Sequence, residues 1–476
     1  MVAITGSAKR RIASLLDPNS FIEIGGSVIA RSTDFNMQAE KAASDGVLTG
    51  YGTIDGNLVY VYGQEPEVLG GSIGEMHAKK IANIYKMAGK MGAPVIGLID
   101  CSGVRVQEST DALAALGAIY KDMAIVSGTI PQYIAVFGNC GGGISFIPAL
   151  ADFTFMETEK ARVFVNSPDA IKGNNRDKFD NTTVEYQTSV GNIDFAGTEE
   201  EIIAAMRSLI SILPANCDDE GAIGVCQDDL NRACVGIEGY TDDTYGLLYE
   251  ISDDHFVIES GKNYGKSVIT AFIRMNGQTV GAVANRACLT GEDGEREDLF
   301  GGKLTSKAVR KAAKFVSFCD AYNIPVLTVA NTDGFAQMEC TEDTLPKAAA
   351  RLLYAYANAT VPKVTLNIGK TYGSAGVIMG SKSVGADMVY AWNNAEIGTM
   401  DASAAAKIIC AGDSAADIRS TATQYSNLCQ SADAAAGRGY VDTVILPADT
   451  RKYLVGAFEM LYSKREDIQD KKHGTV

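Results

Sequence analysis

Two glycine-rich stretches are the residues of this 476-residue chain best suited to chemistry. They are residues 138–145, GNCGGGIS, and residues 369–376, GKTYGSAG, and they lie 231 residues apart. Small residues let a ligand approach the backbone, and the first N–H groups of a helix can bind an anion or a developing oxyanion. Glycines can also serve only to pack a strand tightly against a helix. The constant spacing favours two oxyanion holes.

The two stretches lack the usual signs of other chemistry. Neither turn contains a G-x-x-x-x-G-K-[ST] phosphate loop, a G-x-S-x-G nucleophile elbow or a G-x-G-x-x-G string. Its ten cysteines form no C-x-x-C pair and its three histidines have no metal-ligand spacing, so we expect no metal site. Two oxyanion holes without a nucleophile indicate a reaction in which the protein stabilises two enolate-like oxygens of its substrates.

The elements that position these turns occur twice in the chain. Residues 92–100 match residues 323–331, and the stretches 130–138 and 361–369 match at the same offset of 231. The β-turn signals Asp55-Gly56 and Asn276-Gly277 match at an offset of 221. Each half is therefore expected to run as hairpin, helix, buried strand, helix and buried strand. The predicted fold class is α/β, with two homologous halves.

Hydrophobic periodicity gives the expected bounds of the main elements. Long helices are predicted over residues 73–91 and 305–322, and buried strands over 95–99, 133–137, 326–330 and 364–368. An acidic stretch from residue 213 to about 245 connects the halves. We place the domain boundary near residue 240, which gives halves of residues 1–240 and 241–476.

Composition and charge exclude several classes of function. The formal net charge of −16, from 42 Lys and Arg against 58 Asp and Glu, argues against binding nucleic acid. The N-terminus has no apolar signal segment and the cysteines are scattered, which favours reduced thiols and a cytoplasmic location. The uncharged stretch between Asp122 and Asp152 contains prolines and a glycine run, so we interpret it as buried core rather than a membrane span.

Five motifs connect the chain to a known family. They are residues 45–50 (DGVLTG), 70–80 (GGSIGEMHAKK), 318–325 (FCDAYNIP), 359–363 (ATVPK) and 390–392 (YAW). From about residue 11 to its end, the chain resembles the carboxyltransferase subunits of biotin-dependent enzymes, which belong to the crotonase-like superfamily. The family includes propionyl-CoA carboxylase β chains and the α chains of methylmalonyl-CoA and glutaconyl-CoA decarboxylases.

The resemblance implies a doubled crotonase-like (ββα) spiral that assembles as a hexamer of three dimers, with active sites at the dimer interface. Gly142 and Gly143 would form one oxyanion hole, and Ser374 and Ala375 the other. One hole would hold the thioester oxygen of an acyl-CoA, and the other the ureido oxygen of biotin. The resemblance also implies binding residues for substrate and cofactor, namely Gly71, Ser72, Arg105, Gly141, Gly373 and Val377.

The implied function is transfer of a carboxyl group between a biotinylated carrier and the α-carbon of an acyl-CoA. No side-chain nucleophile is needed, because loss of CO₂ from carboxybiotin leaves a ureido group basic enough to remove the α-proton. The chain has neither a biotin-attachment Met-Lys-Met nor an ATP-grasp motif. Biotin is thus expected on a separate carrier protein, with a biotin carboxylase or membrane decarboxylase subunits as further partners, and without a metal in this subunit.

Several departures from the family pattern leave alternatives open. Ser374 stands where many relatives have a second glycine, Gly376 and Val377 replace a Tyr-Asp pair, and residues 331–347 differ in length and sequence. The acyl group and the direction of transfer therefore stay undecided. The alternatives are a non-catalytic partner subunit and a crotonase-type hydratase or hydrolase. His77 fits a hydrogen-bonded structural histidine better than a base, and Trp392 fits the core better than a ligand site.

Overall fold

The computed structural model describes residues 6–32, 44–172, 180–219, 221, 223–291, 295–412 and 414–466. The chain divides into two compact units, Met1–Glu220 and Gly221–Val476. This division precedes the boundary expected near residue 240, because the intervening acidic stretch packs on the second unit. The N–H of Cys234 donates to the carbonyl of Ala448, and Cys234 and Ile237 are buried in the core of the second unit.

The first unit is built on a sheet that contains eight strands among the described residues. The strands are β1 (Ile22–Glu23), β2 (Val47–Ile54), β3 (Asn57–Gln64), β4 (Val95–Cys101), β5 (Gln132–Gly141), β6 (Phe153–Glu157), β7 (Arg162–Phe164) and β8 (Phe195–Gly197). Their order in the sheet is β1-β2-β3-β4-β5-β6-β8, and β7 pairs with the end of β5. The strands from β3 onward pair in parallel.

Helices cover this sheet and bury its apolar strands. They are α1 (Ser7–Leu15), α2 (Glu75–Met91), α3 (Ser109–Val126), α4 (Phe146–Leu150), α5 (Val184–Ser189) and α6 (Glu199–Ile212). The buried face of α2 carries Ile81, Ile84, Tyr85 and Ala88 at helical spacing, and it packs with α3 against β4 and β5. Gly92, in the left-handed conformation, ends α2.

The second unit repeats this plan. Its strands are β9 (Val257–Ser260), β10 (Val268–Met275), β11 (Gln278–Asn285), β12 (Cys288–Thr290), β13 (Arg296–Leu299), β14 (Lys303–Leu304), β15 (Val326–Thr332), β16 (Gly334–Phe335), β17 (Lys363–Tyr372), β18 (Met388–Trp392), β19 (Glu396–Gly398) and β20 (Thr443–Ile445). The main sheet has the order β9-β10-β11-β15-β17-β18-β20, with β19 on the end of β17. This order is the same as in the first unit.

The helices of the second unit follow the same scheme with additions near its end. They are α7 (Thr244–Ile251), α8 (Ser306–Ala321), α9 (Glu339–Glu342), α10 (Leu345–Asn358), α11 (Gly373–Ile378), α12 (Ala402–Ile409), α13 (Ala415–Tyr425), α14 (Ala432–Gly437) and α15 (Thr450–Leu461). A π-helical segment, Ser426–Gln430, follows α13. The residues of the divergent segment 331–347 form the end of β15, the short β16, α9 and the start of α10.

The two predicted hairpins are confirmed. Asp55 and Gly56 have φ of 50° and 82°, and Asn276 and Gly277 have φ of 50° and 76°. Positive φ at both central residues is typical of the type I′ turn, whose twist matches that of the flanking strands. The long predicted helices correspond to α2 and α8, and the four predicted buried strands lie within β4, β5, β15 and β17. The fold is therefore a duplicated α/β fold, as the repeat predicts.

The uncharged stretch between Asp122 and Asp152 lies mainly in β5 and α4, and most of β5 is buried. Across the ranges that the structure describes, no helix combines the length and the apolar character needed to cross a membrane.

Candidate functional site

The first glycine turn follows the end of β5. Residues Gly142–Ser145 form a 3-10 turn that leads directly into α4. Gly142 has a φ of 62°, and a Cβ atom built on it would meet nothing within 4 Å. Two hydrogen bonds hold the carbonyls of the turn, because the Ser145 hydroxyl donates to Gly142 O at 2.7 Å and the Tyr120 hydroxyl to Gly143 O at 2.6 Å. The amides at the start of this turn have no intrahelical partner.

Gly141 sets how closely the next strand approaches this turn. A Cβ on Gly141 would lie 2.7 Å from the ring of Phe164 in β7, so a side chain there would have to displace that ring. A Cβ on Gly143 would lie 3.0 Å from the hydroxyl oxygen of Tyr120. The three glycines therefore differ in surroundings: Gly142 faces open space, whereas Gly141 and Gly143 are packed.

The second glycine turn follows the end of β17 and begins α11. Gly373 has a φ of 58°, close to that of Gly142. The offset of 231 pairs Gly142 with Gly373 and Gly143 with Ser374, so Ala375 corresponds to Ile144. The assignment of Ser374 and Ala375 as hole donors stays a prediction, and it lies one position further along the repeat than the assignment in the first half.

A cavity of about 360 Å³ adjoins the second turn, within the second unit. Its walls include two of the predicted binding residues, Gly373 and Val377. The other walls come from the ends of β17 and β19 and from the segment after α13, with Thr399, Tyr425, Cys429 and Arg438 among them. The structure therefore brings two predicted binding residues and a ligand-sized cavity together.

The predicted binding residues Gly71 and Ser72 lie in the loop between β3 and α2, which packs against the end of β4. Gly71 has a φ of 62°, and a Cβ on it would lie 2.3 Å from the carbonyl oxygen of Asp100. Backbone hydrogen bonds tie the loop to the residues after β4, including Ser102 N–H to Gly70 O at 3.0 Å. The close approach of two backbones requires the glycine here.

Arg105 is buried beneath this loop, with 2% of its side chain exposed. Its guanidinium pairs with Asp45 at 2.5 Å and Glu108 at 2.8 Å, and it donates to the carbonyl of Ser72 at 2.8 Å. Burial raises the pKa of the Asp45 carboxyl, and the hydrogen bond from Arg105 opposes that rise. The cofactor-binding role implied for Arg105 stays a prediction, and in the structure the side chain holds two carboxylates and the loop.

His77 is fully buried in α2 and hydrogen-bonded on both ring nitrogens. Nδ1–H donates to the carbonyl of Asp45 at 2.8 Å, so Nε2 accepts from the Gln64 amide at 3.2 Å. Burial lowers the pKa of His77 to about 3, which keeps it neutral. The interpretation of His77 as structural is confirmed. Trp392 is likewise fully buried, and its indole N–H donates to Thr450 Oγ1 at 2.9 Å.

One shared feature of the two turns was not found from the sequence. Between Ile99↔Val136 and Cys101↔Cys140, β5 carries two more residues than β4. Between Ala330↔Asn367 and Thr332↔Thr371, β17 carries two more than β15. These two bulges end just before Gly142 and Gly373. The matching glycines 138 and 369 are a signal for these bulges in the sequence.

Comparison with known proteins agrees with this geometry. The chain matches the carboxyl transferase domain family over residues 7–476. It is 38% identical over 489 residues to the methylmalonyl-CoA decarboxylase subunit alpha of Propionigenium modestum, covering 99% of this chain and 93% of that protein. It is 38% identical over 486 residues to the propionyl-CoA carboxylase beta chain of Roseobacter denitrificans, with the same coverage of 99% and 93%.

A solved structure is similar over nearly the whole chain. It is the transcarboxylase 12S hexamer with hydrolysed methylmalonyl-coenzyme A bound, with a TM-score of 0.92, 35% identity, and coverage of 98% of this chain and 92% of that one. The repeat, the paired glycine turns and these similarities agree. The chain therefore belongs to the carboxyl transferase domain family, and it is an enzyme that transfers a carboxyl group.

Proposed function

We propose that this chain is the carboxyltransferase subunit of a biotin-dependent acyl-CoA carboxylase or decarboxylase. It moves a carboxyl group between the biotin of a separate carrier protein and the α-carbon of an acyl-CoA. The observation that carries the proposal is that one glycine turn, after one bulged strand, occurs in each half with nearly equal positive φ at Gly142 and Gly373. Two such turns suit a reaction in which two substrates each develop negative charge on an oxygen.

The backbone amides of the turns are the groups that stabilise this charge. Gly142 and Gly143 supply one hole, and Ser374 and Ala375 the other. Each donor lowers the barrier by roughly 3 kcal/mol when it points at an oxygen that becomes negative. When bound, the carrier's biotin supplies the carboxyl group and the base. The net change at the α-carbon of the thioester is the exchange of a proton for a carboxyl group, and the decarboxylase direction reverses it.

The remaining predicted residues bind rather than react. Gly71 and Ser72 line the loop over β4, Gly141 lets β7 approach the first turn, and Gly373 and Val377 line the cavity at the second turn. Arg105 holds the loop through its hydrogen bond to the carbonyl of Ser72, and Asp45 and Glu108 pair with its guanidinium. Each half of the chain supplies one hole. The boundary between the halves falls between residues 220 and 240.

The proposed partners follow from the relatives. Transcarboxylase 12S is a hexamer, and we propose a hexamer of three dimers for this chain, with a biotin carboxyl carrier as the second substrate. A biotin carboxylase or membrane decarboxylase subunits complete the complex, and this chain lies in the cytoplasm. Propionyl-CoA and methylmalonyl-CoA are the first acyl-CoA pair to test, because the relatives carry their names.

The test is an isotope transfer with purified protein. The chain is incubated with a biotinylated carrier and methylmalonyl-CoA labelled in the free carboxyl group, and the label is followed onto the carrier by mass spectrometry. We expect transfer that requires both the carrier and this chain. The reverse reaction uses carboxylated carrier and unlabelled propionyl-CoA.

Each alternative function gives a different result in this assay. An assembled protein that transfers no carboxyl group with any of a panel of short-chain acyl-CoAs would be a non-catalytic partner subunit. Hydration or hydrolysis of an acyl-CoA without any carrier would indicate a crotonase-type enzyme.

A further inference from the structure

A side chain from the neighbouring strand fills each bulge before a glycine turn. In the second half this side chain is Asn331. It is the one residue of β15 that stands opposite the three bulged residues of β17. Its Oδ1 accepts the N–H of Lys370 at 3.0 Å, and its Nδ2 donates to the carbonyl of Thr241 at 2.9 Å. The Asn331 side chain therefore links the carbonyl of Thr241 to the N–H of Lys370, which lies in the bulged strand three residues before Gly373.

The first half has the same arrangement with a carboxylate. The Asp100 carboxylate lies in the bulge of β5, in the space that Gly138 leaves open. The backbone of Asn139, three residues before Gly142, lowers the pKa of this carboxyl as a hydrogen-bond donor. Arg11 lies 3.4 Å from this carboxylate. Burial raises the pKa of the Asp100 carboxyl, and the charge of Arg11 opposes that rise. One half thus uses a paired carboxylate, and the other a neutral amide, as the acceptor for the same backbone group.

A second side-chain amide accepts the backbone N–H of each of these residues. Gln64 Oε1 accepts the N–H of Asp100 at 3.2 Å, and Asn285 Oδ1 accepts the N–H of Asn331 at 2.7 Å. Gln64 and Asn285 each end the second strand of their hairpin, β3 and β11. Each half therefore contains a relay of hydrogen bonds from the hairpin, through β4 or β15, to the bulge.

The two glycines that mark the repeat exist because of these side chains. A Cβ on Gly138 would lie 2.0 Å from Asp100 Oδ1, and a Cβ on Gly369 would lie 2.5 Å from Asn331 Oδ1. Neither glycine has a positive φ, so the backbone conformation does not demand glycine. The space taken by the neighbouring side chain does.

We propose that Asp100 and Asn331 are positioning residues that aim the two glycine turns, and that Gln64 and Asn285 hold them in place. The proposal rests on the proposed oxyanion role of the turns. Each acceptor fixes the backbone three residues before the left-handed glycine, and therefore the direction in which the first amides of the turn point. A misplacement of about 1 Å at such donors can cost about a hundredfold in rate.

The decisive experiment compares two substitutions at one position. Asn331→Ala removes both the acceptor and the donor to Thr241, whereas Asn331→Asp keeps the acceptor and loses only that donor. We expect Asn331→Ala to lower kcat for carboxyl transfer by about tenfold or more, with KM within about twofold, and Asn331→Asp to recover most of the loss. Asp100→Ala and Asp100→Asn form the same pair in the first half. Gln132→Ala is the matched control, because Gln132 is a buried amide at the opposite end of β5.

Amide hydrogen exchange of the wild-type enzyme is the independent measurement, because it needs no variant to fold. We expect the amides of Asn139 and Lys370 to be protected. Unprotected exchange at these amides would overturn the proposal, as would an unchanged kcat in assembled Asn331→Ala and Asp100→Ala enzymes. Equal losses of kcat and of melting temperature in the Ala and the acceptor-keeping variants would assign these residues a purely structural role.

Failure of the proposed holes is distinguishable from failure of this inference. Full activity of an assembled Ser374→Val enzyme, together with a slow Asn331→Ala enzyme, would reject the second hole itself. A slow Ser374→Val enzyme together with a fully active Asn331→Ala enzyme would reject only the positioning role.

Discussion

Gly142 and Gly373 have almost the same backbone conformation, with φ of 62° and 58°, although 231 residues separate them. Each follows a bulged strand of its own sheet and precedes a helical turn. For a residue with a side chain, this left-handed conformation is less stable than the right-handed one by roughly 1–2 kcal/mol. Both positions therefore require glycine, whereas the residues after them, Gly143 and Ser374, differ between the halves.

Gly143→Val tests the first oxyanion hole. The new Cβ would start 3.0 Å from the Tyr120 hydroxyl, and the branched side chain would crowd the thioester and displace the donors. We expect carboxyl transfer to slow by about 10² or more with folding largely kept, and the same for Ser374→Val at the second hole. Transfer rate and melting temperature are measured on the same samples.

Gly117→Val is the control for these substitutions, because a Cβ at Gly117 in α3 meets nothing within 4 Å. We expect this variant to keep the wild-type rate. An assembled Gly143→Val enzyme with an unchanged rate would reject the first hole.

Val377→Phe tests the cavity at the second turn. A phenyl ring at this position would occupy part of the 360 Å³ beside Gly373. We expect KM for one of the two substrates to rise about tenfold, equivalent to about 1.4 kcal/mol of binding, with the melting temperature preserved. Steady-state kinetics with each substrate varied in turn identifies which one uses the cavity. Val225→Phe is the control, since Val225 is 89% exposed and lies outside this cavity.

Arg105→Met tests whether Arg105 supports the fold. The substitution leaves Asp45 and Glu108 buried without their cation, and breaking a buried pair in this way costs about 3–5 kcal/mol. We expect a large fall in the urea midpoint, partly restored by adding Glu108→Gln. If Arg105 instead contacts coenzyme A, the Arg105→Met/Glu108→Gln protein will fold but show a raised KM for the acyl-CoA.

His77 gives the protein a defined pH dependence. Its pKa in the folded state is about 3, below the ordinary 6.5, because burial penalises the charged ring. The unfolded chain takes up a proton that the folded chain rejects, so the stability from neutral His77 is present above pH 6.5 and is lost as the pH falls towards 3. At pH 5.5 the loss is about 1.4 kcal/mol. Urea unfolding at pH 7.5 and 5.5 should show a fall in the free energy of unfolding that is smaller in His77→Gln than in the wild type. An equal fall in the variant would contradict the assignment.

The assembly is tested by light scattering. The proposed hexamer has six times the 50.4 kDa mass of the chain, and we expect that mass at micromolar concentration. A monomer with full carboxyl transfer activity would show that one chain completes the site alone.

The repeat, the hairpins and the glycine turns could be predicted from the sequence, because each depends on residues with a fixed local requirement. Pro94, Pro131, Pro325 and Pro362 stand just before β4, β5, β15 and β17, the Asp-Gly and Asn-Gly pairs favour type I′ turns, and the α2 periodicity is local. The contacts of Arg105 could not be predicted, since Asp45 lies far away in sequence. Nor could the packing of Cys234 and Ile237, which places the end of the acidic stretch with the second unit.

The hydrogen bonds at the two bulges could not be predicted from the sequence either. Gln64 and Asn285 end apolar strands and have no distinctive neighbours in sequence. Their hydrogen bonds to Asp100 and Asn331 exist only once parallel strands pair with a particular register. Sequence periodicity carries no information about a two-residue mismatch between paired strands.

The identical strand order of the two sheets has an evolutionary consequence. Two halves that share their topology, their bulges and their glycine turns descend from one ancestral segment that was copied within a gene. Afterwards each half could mutate alone, and the chain records the result: a serine follows the left-handed glycine in one half and a glycine in the other, and a neutral amide fills one bulge and a carboxylate the other. Duplication thus allowed one turn to change without altering the other.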